Sequence, residues 1–254
     1  MSTNLPPGFV ALLLAAGRSR RMQSGTPKPY LLLAGRPLLE WNARRLASIP
    51  GHLGTVAAMD EASLTERLPG LWPALEQQRV VGCVRGGETR QGSTRQAYQA
   101  ALERVTAGFE LVLVHDCARP FFPYSGTAMA LSCAAASGAA ILGTWATDTL
   151  KRVDASGKIQ STLPRSEIVL AATPQVFRRA EFDRMMELGL EAGLEGTDEA
   201  GLAEAAGIEV QVIPSPSSNM KLTHPEDLLL LPCLESILAE PYPLADSSGG
   251  HEHD

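Results

Sequence analysis

Short apolar runs recur along the chain, at Val10–Leu14, Leu53–Met59, Arg79–Val84, Leu111–His115 and Ala139–Ala146. Each is too continuous for a half-solvated strand and too short for an ordinary helix, so each predicts a strand covered on both faces. Between them, Pro37–Ser48, Thr89–Arg104 and Tyr124–Ser137 carry helix-like patterns. Strands alternating with helices of this length predict right-handed βαβ units. The fold class expected is α/β, a Rossmann-like, mostly parallel sheet flanked by helices. Ligands of such sheets sit beyond the carboxyl ends of the strands, which directs attention to the residues just after each run.

One stretch breaks the alternation. Asp148–Asp154 and Lys158–Leu163, joined by Ala155-Ser156-Gly157, predict a β-hairpin with a glycine-bearing turn. It has little apolar content of its own and so needs a partner surface. Helical patterns return at Arg179–Leu190 and Asp198–Ala206, followed by a strand at Glu209–Ile213 and a helix starting near Pro225. The expected organisation is one domain over residues 1–240, with the hairpin as an arm at about 147–166. The acidic segment 241–254 is expected to be a disordered tail.

Charge changes the picture in one respect. Of 28 acids, Glu235, Glu240, Asp246, Glu252 and Asp254 lie in a C-terminal segment without Lys or Arg; the other 23 nearly balance 22 bases. A near-neutral body without a basic stripe argues against a nucleic-acid partner. The run Val10–Ala16 has no preceding positive charge, whereas Arg18, Arg20 and Arg21 follow it, which excludes a signal peptide. It is also shorter than the roughly 20 residues of a membrane span. Cys83, Cys117, Cys133 and Cys233 are scattered without a Cys-x-x-Cys pair, as expected of reduced thiols in a cytoplasmic protein.

The first run leads into Ala15-Ala16-Gly17, and from Gly17 to Lys28 the chain carries Arg18, Arg20, Arg21 and Lys28 but no acid. Small residues let backbone N–H groups approach phosphates and clustered cations neutralise them, so this loop is a candidate polyphosphate site. There is no G-x-x-x-x-G-K-[ST], which excludes a P-loop. There is no G-x-G-x-x-G either, and Asp60 lies too far along the chain for a dinucleotide-binding unit. Asp116 ends the fourth run facing the cationic loop. A lone carboxylate there suits Mg²⁺, which draws its remaining ligands from phosphates and water. His115 beside it reads as a satisfied core residue.

An ordered set of segments then narrows the reading. Leu14-Ala15-Ala16-Gly17 with Arg21-Met22 and Pro27-Lys28 looks like the signature loop of sugar-phosphate nucleotidyltransferases. Gly86-Gly87-Glu88-Thr89-Arg90 with Ser93, Val114-His115-Asp116-Cys117-Ala118-Arg119-Pro120 and Asp148-Thr149-Leu150-Lys151-Arg152 follow. So do Thr173-Pro174-Gln175, Thr197-Asp198-Glu199-Ala200, Asn219-Met220-Lys221-Leu222-Thr223 and Pro225-Glu226-Asp227-Leu228. In this order the chain resembles the 2-C-methyl-D-erythritol 4-phosphate cytidylyltransferase family.

The resemblance implies a magnesium-dependent transfer of cytidylyl from CTP to a sugar-alcohol phosphate, with Arg21, Lys28 and Lys221 as catalytic cations and Asp116 holding Mg²⁺. It implies that Ala15, Ala16, Gly17, Gly87, Glu88 and Ser93 surround the cytidine. Arg119, Thr149, Arg165, Thr197 and Lys221 would hold the acceptor, and the arm would be exchanged across a homodimer. The chain departs from the family pattern at Ser19, Pro29 (usually Gln), Glu88, Cys117, Val169 (commonly Trp) and Ser218. A ribitol 5-phosphate cytidylyltransferase shares the CTP site and much of the arm. A catalytically silent nucleotide-binding module is disfavoured by the retained Arg21, Lys28, Asp116 and Lys221.

Overall fold

The fold was analysed in a computed structural model that describes residues 7–17, 26–194 and 196–232. In chain order the elements are β1 (Phe9–Leu14), β2 (Leu32–Leu33), β3 (Arg36–Pro37), α1 (Leu38–Ala47), β4 (His52–Met59), α2 (Leu68–Gln77), β5 (Val80–Arg85) and α3 (Arg90–Arg104). They continue with β6 (Leu111–Asp116), α4 (Tyr124–Ser137), β7 (Ala139–Trp145), β8 (Leu150–Val153), β9 (Ile159–Leu163) and β10 (Val169–Arg178). The last are α5 (Arg179–Glu191), α6 (Glu199–Ala205) and β11 (Gln211–Pro214). Seven strands form one sheet in the order β11-β7-β10-β6-β1-β4-β5.

Strand β1 shows why the apolar runs are continuous. Phe9, Ala11 and Leu13 belong to a core on one side of the sheet, with Leu38, Ala43 and Leu46 of α1 and Ala130 and Ala134 of α4. Val10 and Leu12 belong to the core on the other side, with Ala97 and Ala101 of α3, Phe182 of α5 and Leu202 of α6. Side chains alternate along a strand, so helices on both faces demand apolar residues at every position. β1 pairs in parallel with β4 and β6, which aligns their carboxyl ends along one edge.

All five apolar runs are strands, with ends displaced by a residue at most. One strand escaped the pattern. β10 lies antiparallel between β6 and β7, and its segment Val169-Leu-Ala-Ala-Thr-Pro-Gln-Val-Phe-Arg178 carries a proline and polar residues in mid-run. The ladder with β7 is irregular between Ala172 and Gln175, where Pro174 falls; proline is tolerated in a sheet at such interruptions. α2 escaped as well, because Pro69, Gly70 and Pro73 obscure its period. The last helical segment, Pro225–Leu230, is a 3₁₀ helix, and β11 starts two residues later than its sequence pattern suggests.

The hairpin β8–β9 forms a separate two-stranded sheet, as its sparse apolar content predicts. Its turn is closed by Asp154, whose Oδ1 accepts from the Ser156 and Lys158 amides, and Gly157 adopts φ +83°. Val169, at the start of β10, lies directly opposite Trp145, so this rung of the sheet still carries an indole. The tail 241–254 falls outside the described residues.

The second core centres on Phe182, fully buried, with its ring 4.7 Å from Tyr98 and 5.8 Å from Phe177. Truncation there removes both ring contacts and leaves a cavity. Phe182→Ala is expected to lower stability by about 3–5 kcal/mol, measured by urea unfolding; a loss below about 1 kcal/mol would show that this core repacks freely.

Candidate functional site

A cavity of about 460 Å³ opens beyond the carboxyl ends of β1 and β6. Ala15, Ala16 and Gly17 form one wall, and Gly87, Glu88 and Ser93 another, while Lys28, Arg90, Asp116 and Lys221 join Glu88 as its charged residues. The departures Pro29 and Cys117 also line it. Nine of the expected site residues therefore converge. Arg21 lies outside the described residues.

The nucleotide-side wall depends on two glycines. A Cβ at Gly86 would come within 2.4 Å of the Ala16 Cβ and 2.9 Å of Ser93 Oγ. A Cβ at Gly87 would come within 2.6 Å of the backbone of Gly92. The turn from β5 to α3 can fold against the Ala15–Gly17 segment only without side chains at these positions. Thr89 then caps α3, its side chain accepting from the Gly92 amide at 3.0 Å.

Asp116 is the last residue of β6 and its side chain is 11% exposed. Lys221 Nζ donates to Oδ2 at 2.6 Å, while Arg90 donates to Oδ1 through Nη2 at 3.2 Å and Nε at 3.3 Å. Burial opposes ionisation of this carboxyl, but Arg90 and Lys221 outweigh it and hold the group well below the usual carboxylate range. Arg90 also donates through Nη1 to Glu199, and its own pKa is raised: burial opposes the charge, and Glu199 and Asp116 outweigh burial.

A second set of bonds fixes the backbone beneath the carboxylate. Thr173 Oγ1 accepts from the Asp116 amide at 3.0 Å and contacts His115 Nδ1 at 3.0 Å. His115 Nε2 contacts two acceptors, Asn42 Oδ1 and the Arg119 carbonyl, each at 3.1 Å. Nε2 therefore carries the proton, and Nδ1 accepts from the Thr173 hydroxyl. Burial pushes the imidazole down to about 3, so it is neutral and fully engaged. The reading of His115 as a satisfied core residue fits this geometry. Asn42, on α1, donates to the Leu38 and Cys117 carbonyls at 2.8 and 2.9 Å. Trp41 Nε1 and Arg45 Nη2 bond the Pro120 and Phe122 carbonyls at 3.1 and 2.7 Å, which pins the loop after β6 to α1.

The remaining cations gather around residues 219–223. Lys28 Nζ donates to the Leu222 carbonyl at 2.8 Å, and Arg119 Nη1 to the Asn219 carbonyl at 2.8 Å. Asn219 is itself anchored by the Thr173 carbonyl at 3.1 Å. Thr149 and Arg165 do not line the cavity. Thr149 is exposed next to β8, and Arg165 donates to the Thr147 carbonyl at 2.9 Å. Thr197 is exposed just before α6 and is also outside the cavity lining. Sequence reasoning gave no site role to Arg90, Thr173 or Glu199, although each stood inside a quoted segment. Asn42 carried no signal at all.

The fit to a divalent cation rests on Asp116: its ionised carboxylate faces the cavity between Arg90 and Lys221, and Mg²⁺ takes one or two carboxylates when phosphates complete its shell. Among the described residues no three His, Cys, Asp or Glu side chains gather into a metal cage.

The family model described as 2-C-methyl-D-erythritol 4-phosphate cytidylyltransferase matches residues 9–238. A relative of that name from Aeromonas hydrophila is 38% identical over 228 residues, covering 90% of each chain. Another from Syntrophus aciditrophicus is 34% identical over 226 residues, covering 89% of this chain and 95% of its own. The crystal structure of 2-C-methyl-D-erythritol 4-phosphate cytidylyltransferase from Thermus thermophilus superposes with a TM-score of 0.71 at 30% identity, over 89% of this chain and 98% of that one.

The buried histidines predict an acid response. His52, 2% exposed on β4 with Nε2 2.8 Å from Thr55 Oγ1, is pushed down to about 4 by burial, and His115 to about 3, both from 6.5. The unfolded chain binds protons that the native state refuses. Their stabilisation is therefore complete above pH 6.5 and lost as pH falls toward 4 for His52 and toward 3 for His115. Asp116, depressed below 3.8, adds a loss only below that value. Urea unfolding at pH 7, 6 and 5 should show stability falling by about 1.4 kcal/mol per histidine per pH unit on the steep part of the curve. Equal stability at pH 7 and 5 would contradict neutral burial.

Proposed function

The chain belongs to the 2-C-methyl-D-erythritol 4-phosphate cytidylyltransferase family, and from that premise we infer how its cavity performs the transfer. It is a nucleotidyltransferase that joins CTP to 2-C-methyl-D-erythritol 4-phosphate in isoprenoid biosynthesis, giving 4-diphosphocytidyl-2-C-methyl-D-erythritol and pyrophosphate. Transfer to ribitol 5-phosphate is not favoured, because the relatives matched carry the erythritol name.

The observation that carries the chemistry is the meeting of Lys28, Lys221 and Asp116 with the Ala15–Gly17 segment in one cavity. An acceptor phosphate monoester has a second pKa of about 6, so it is already largely dianionic at neutral pH. One of its oxygens attacks the α-phosphorus of CTP. The new P–O bond forms as the bond to the β-phosphate bridging oxygen breaks, and pyrophosphate leaves with that electron pair. No proton has to be removed, which suits a cavity whose neighbouring histidine is neutral, buried and fully hydrogen-bonded.

What the reaction needs is alignment and neutralisation of charge. Lys28 and Arg21 serve the triphosphate, and Lys221 the phosphates at the point of transfer. Ala15, Ala16 and Gly17 with Gly87, Glu88 and Ser93 enclose the cytidine. Arg119 and Thr197 hold the acceptor. Asp116 is the residue that would hold Mg²⁺, which when bound neutralises phosphate charge.

Thr149 and Arg165 act in a partner's site, across a homodimer built on the β8–β9 arm. Supporting this, Val153, Ile159 and Leu170 are 52%, 59% and 57% exposed on or beside the arm, where an isolated chain would leave them in water. The unpaired thiols of Cys83, Cys117 and Cys133 support a reducing compartment such as the cytoplasm. Among the described residues no helix is long and apolar enough to cross a membrane.

Two outcomes test this. Pyrophosphate release from CTP with Mg²⁺ should occur with 2-C-methyl-D-erythritol 4-phosphate and not with ribitol 5-phosphate. Lys28→Ala should lower the rate by about 100-fold or more, in line with loss of a group that stabilises charge in the transition state. Turnover with ribitol 5-phosphate alone would reassign the acceptor. Separately, Ile159→Asp with Leu170→Asp should convert a dimer into a folded monomer by light scattering, with activity lost. A variant that stays dimeric and active would remove the arm from the interface.

A further inference from the structure

The cavity's carboxylate is held in part by a residue that the cavity does not contain. Glu199, the first residue of α6, has a side chain only 1% exposed and does not line the cavity. One of its oxygens accepts from Arg90 Nη1, and the other accepts from Thr94 Oγ1 at 2.7 Å. Arg90 is thus one guanidinium between two carboxylates, donating Nη1 to Glu199 and Nε with Nη2 to Asp116. Thr94, fully buried one turn along α3 from Arg90, fixes the far side of Glu199.

The charges of this cluster can be followed directly. Arg90 and Lys221 bring two positive charges, and Asp116 and Glu199 two negative ones. Without Glu199 the three groups that remain would carry a net positive charge, beside the carboxylate on which a cation must settle. A divalent cation would then be repelled, and Arg90, freed of its second partner, would bear wholly on Asp116. Arg90 holds only Oδ1, so the Oδ2 side of Asp116 is the side left to the cavity, where Lys221 now sits.

We propose that Glu199 is a positioning residue for the transfer reaction: it takes up the charge of Arg90 and keeps that guanidinium on Oδ1, so that Oδ2 of Asp116 is free to take a divalent cation when Lys221 turns to phosphate. The inference rests on the reading of Asp116 as the cation's ligand. Glu199 also opens the helix that follows Thr197, so one side chain ties the acceptor side of the site to the nucleotide side.

The test uses the full-length protein with CTP and no acceptor, so that nothing turns over. Retained Mn²⁺ is read by electron paramagnetic resonance against a CTP-only control, with circular dichroism to confirm folding. Wild type, Glu199→Gln, Thr94→Val and Asp116→Asn are compared, and steady-state kinetics follow with acceptor. Folded Glu199→Gln should bind Mn²⁺ at least tenfold more weakly. Its kcat should fall at limiting metal and recover largely at excess metal, with KM for CTP within threefold of wild type. Thr94→Val should shift Mn²⁺ binding in the same direction by a smaller factor.

A folded Glu199→Gln with wild-type Mn²⁺ retention, beside a defective Asp116→Asn, would overturn the inference and leave the reading of Asp116 intact. If Glu199→Gln does not fold, unchanged Mn²⁺ retention in Thr94→Val overturns it instead. Wild type retaining no more Mn²⁺ than CTP alone, or Asp116→Asn retaining as much as wild type, would overturn the reading of Asp116 and this inference with it.

Discussion

A carboxylate at the floor of a cavity keeps its charge only if cations stand close enough to offset what it loses by leaving water, and Asp116 is built around that requirement. Arg90 answers one oxygen and Lys221 the other, and they come from different parts of the fold, the start of α3 and the segment after β11. The pairing therefore does two things at once. It keeps Asp116 ionised, and it draws three separate segments of chain to one point. Lys221 is the more exposed partner, at 44%.

The backbone beneath Asp116 is held as firmly as its side chain. β6 is buried along its whole length, and its last two residues are bonded sideways to β10 through Thr173 and to α1 through Asn42. His115 links these bonds because one of its nitrogens donates and the other accepts. Such a histidine has no capacity left for catalysis, which agrees with a reaction whose nucleophile arrives already ionised. The neutral imidazole is a structural part whose cost appears in acid.

The same economy shapes the nucleotide side. Gly86 and Gly87 bring two loops into contact that side chains would hold apart, and Ala15, Ala16, Gly17, Gly87 and Ser93 make up most of the wall there. Pro29 and Cys117, which depart from the family pattern, line the cavity without displacing any of its charged groups.

Much of this was legible in the chain. Continuous apolar runs marked the strands of a two-sided sheet, sparse apolar content marked the arm, and the residues after β1 and β6 marked the site, because periodicity and strand ends are properties of a few neighbouring residues. β10 and α2 were hidden by Pro174 and by Pro69 and Pro73, whose local preference opposes the element that tertiary contacts impose. The partnerships were hidden for a different reason. Arg90 and Glu199 are 109 residues apart, Lys221 and Asp116 105, and His115 and Asn42 73. Which of these groups meet depends on the order of strands in the sheet, above all on the insertion of β10 beside β6, and that order is settled by packing over the whole molecule. The sequence determined the sheet, the hairpin and most of the residues that line the cavity; only the tertiary structure decided which charge answers which, because a salt bridge depends on distance in space and leaves no period along the chain.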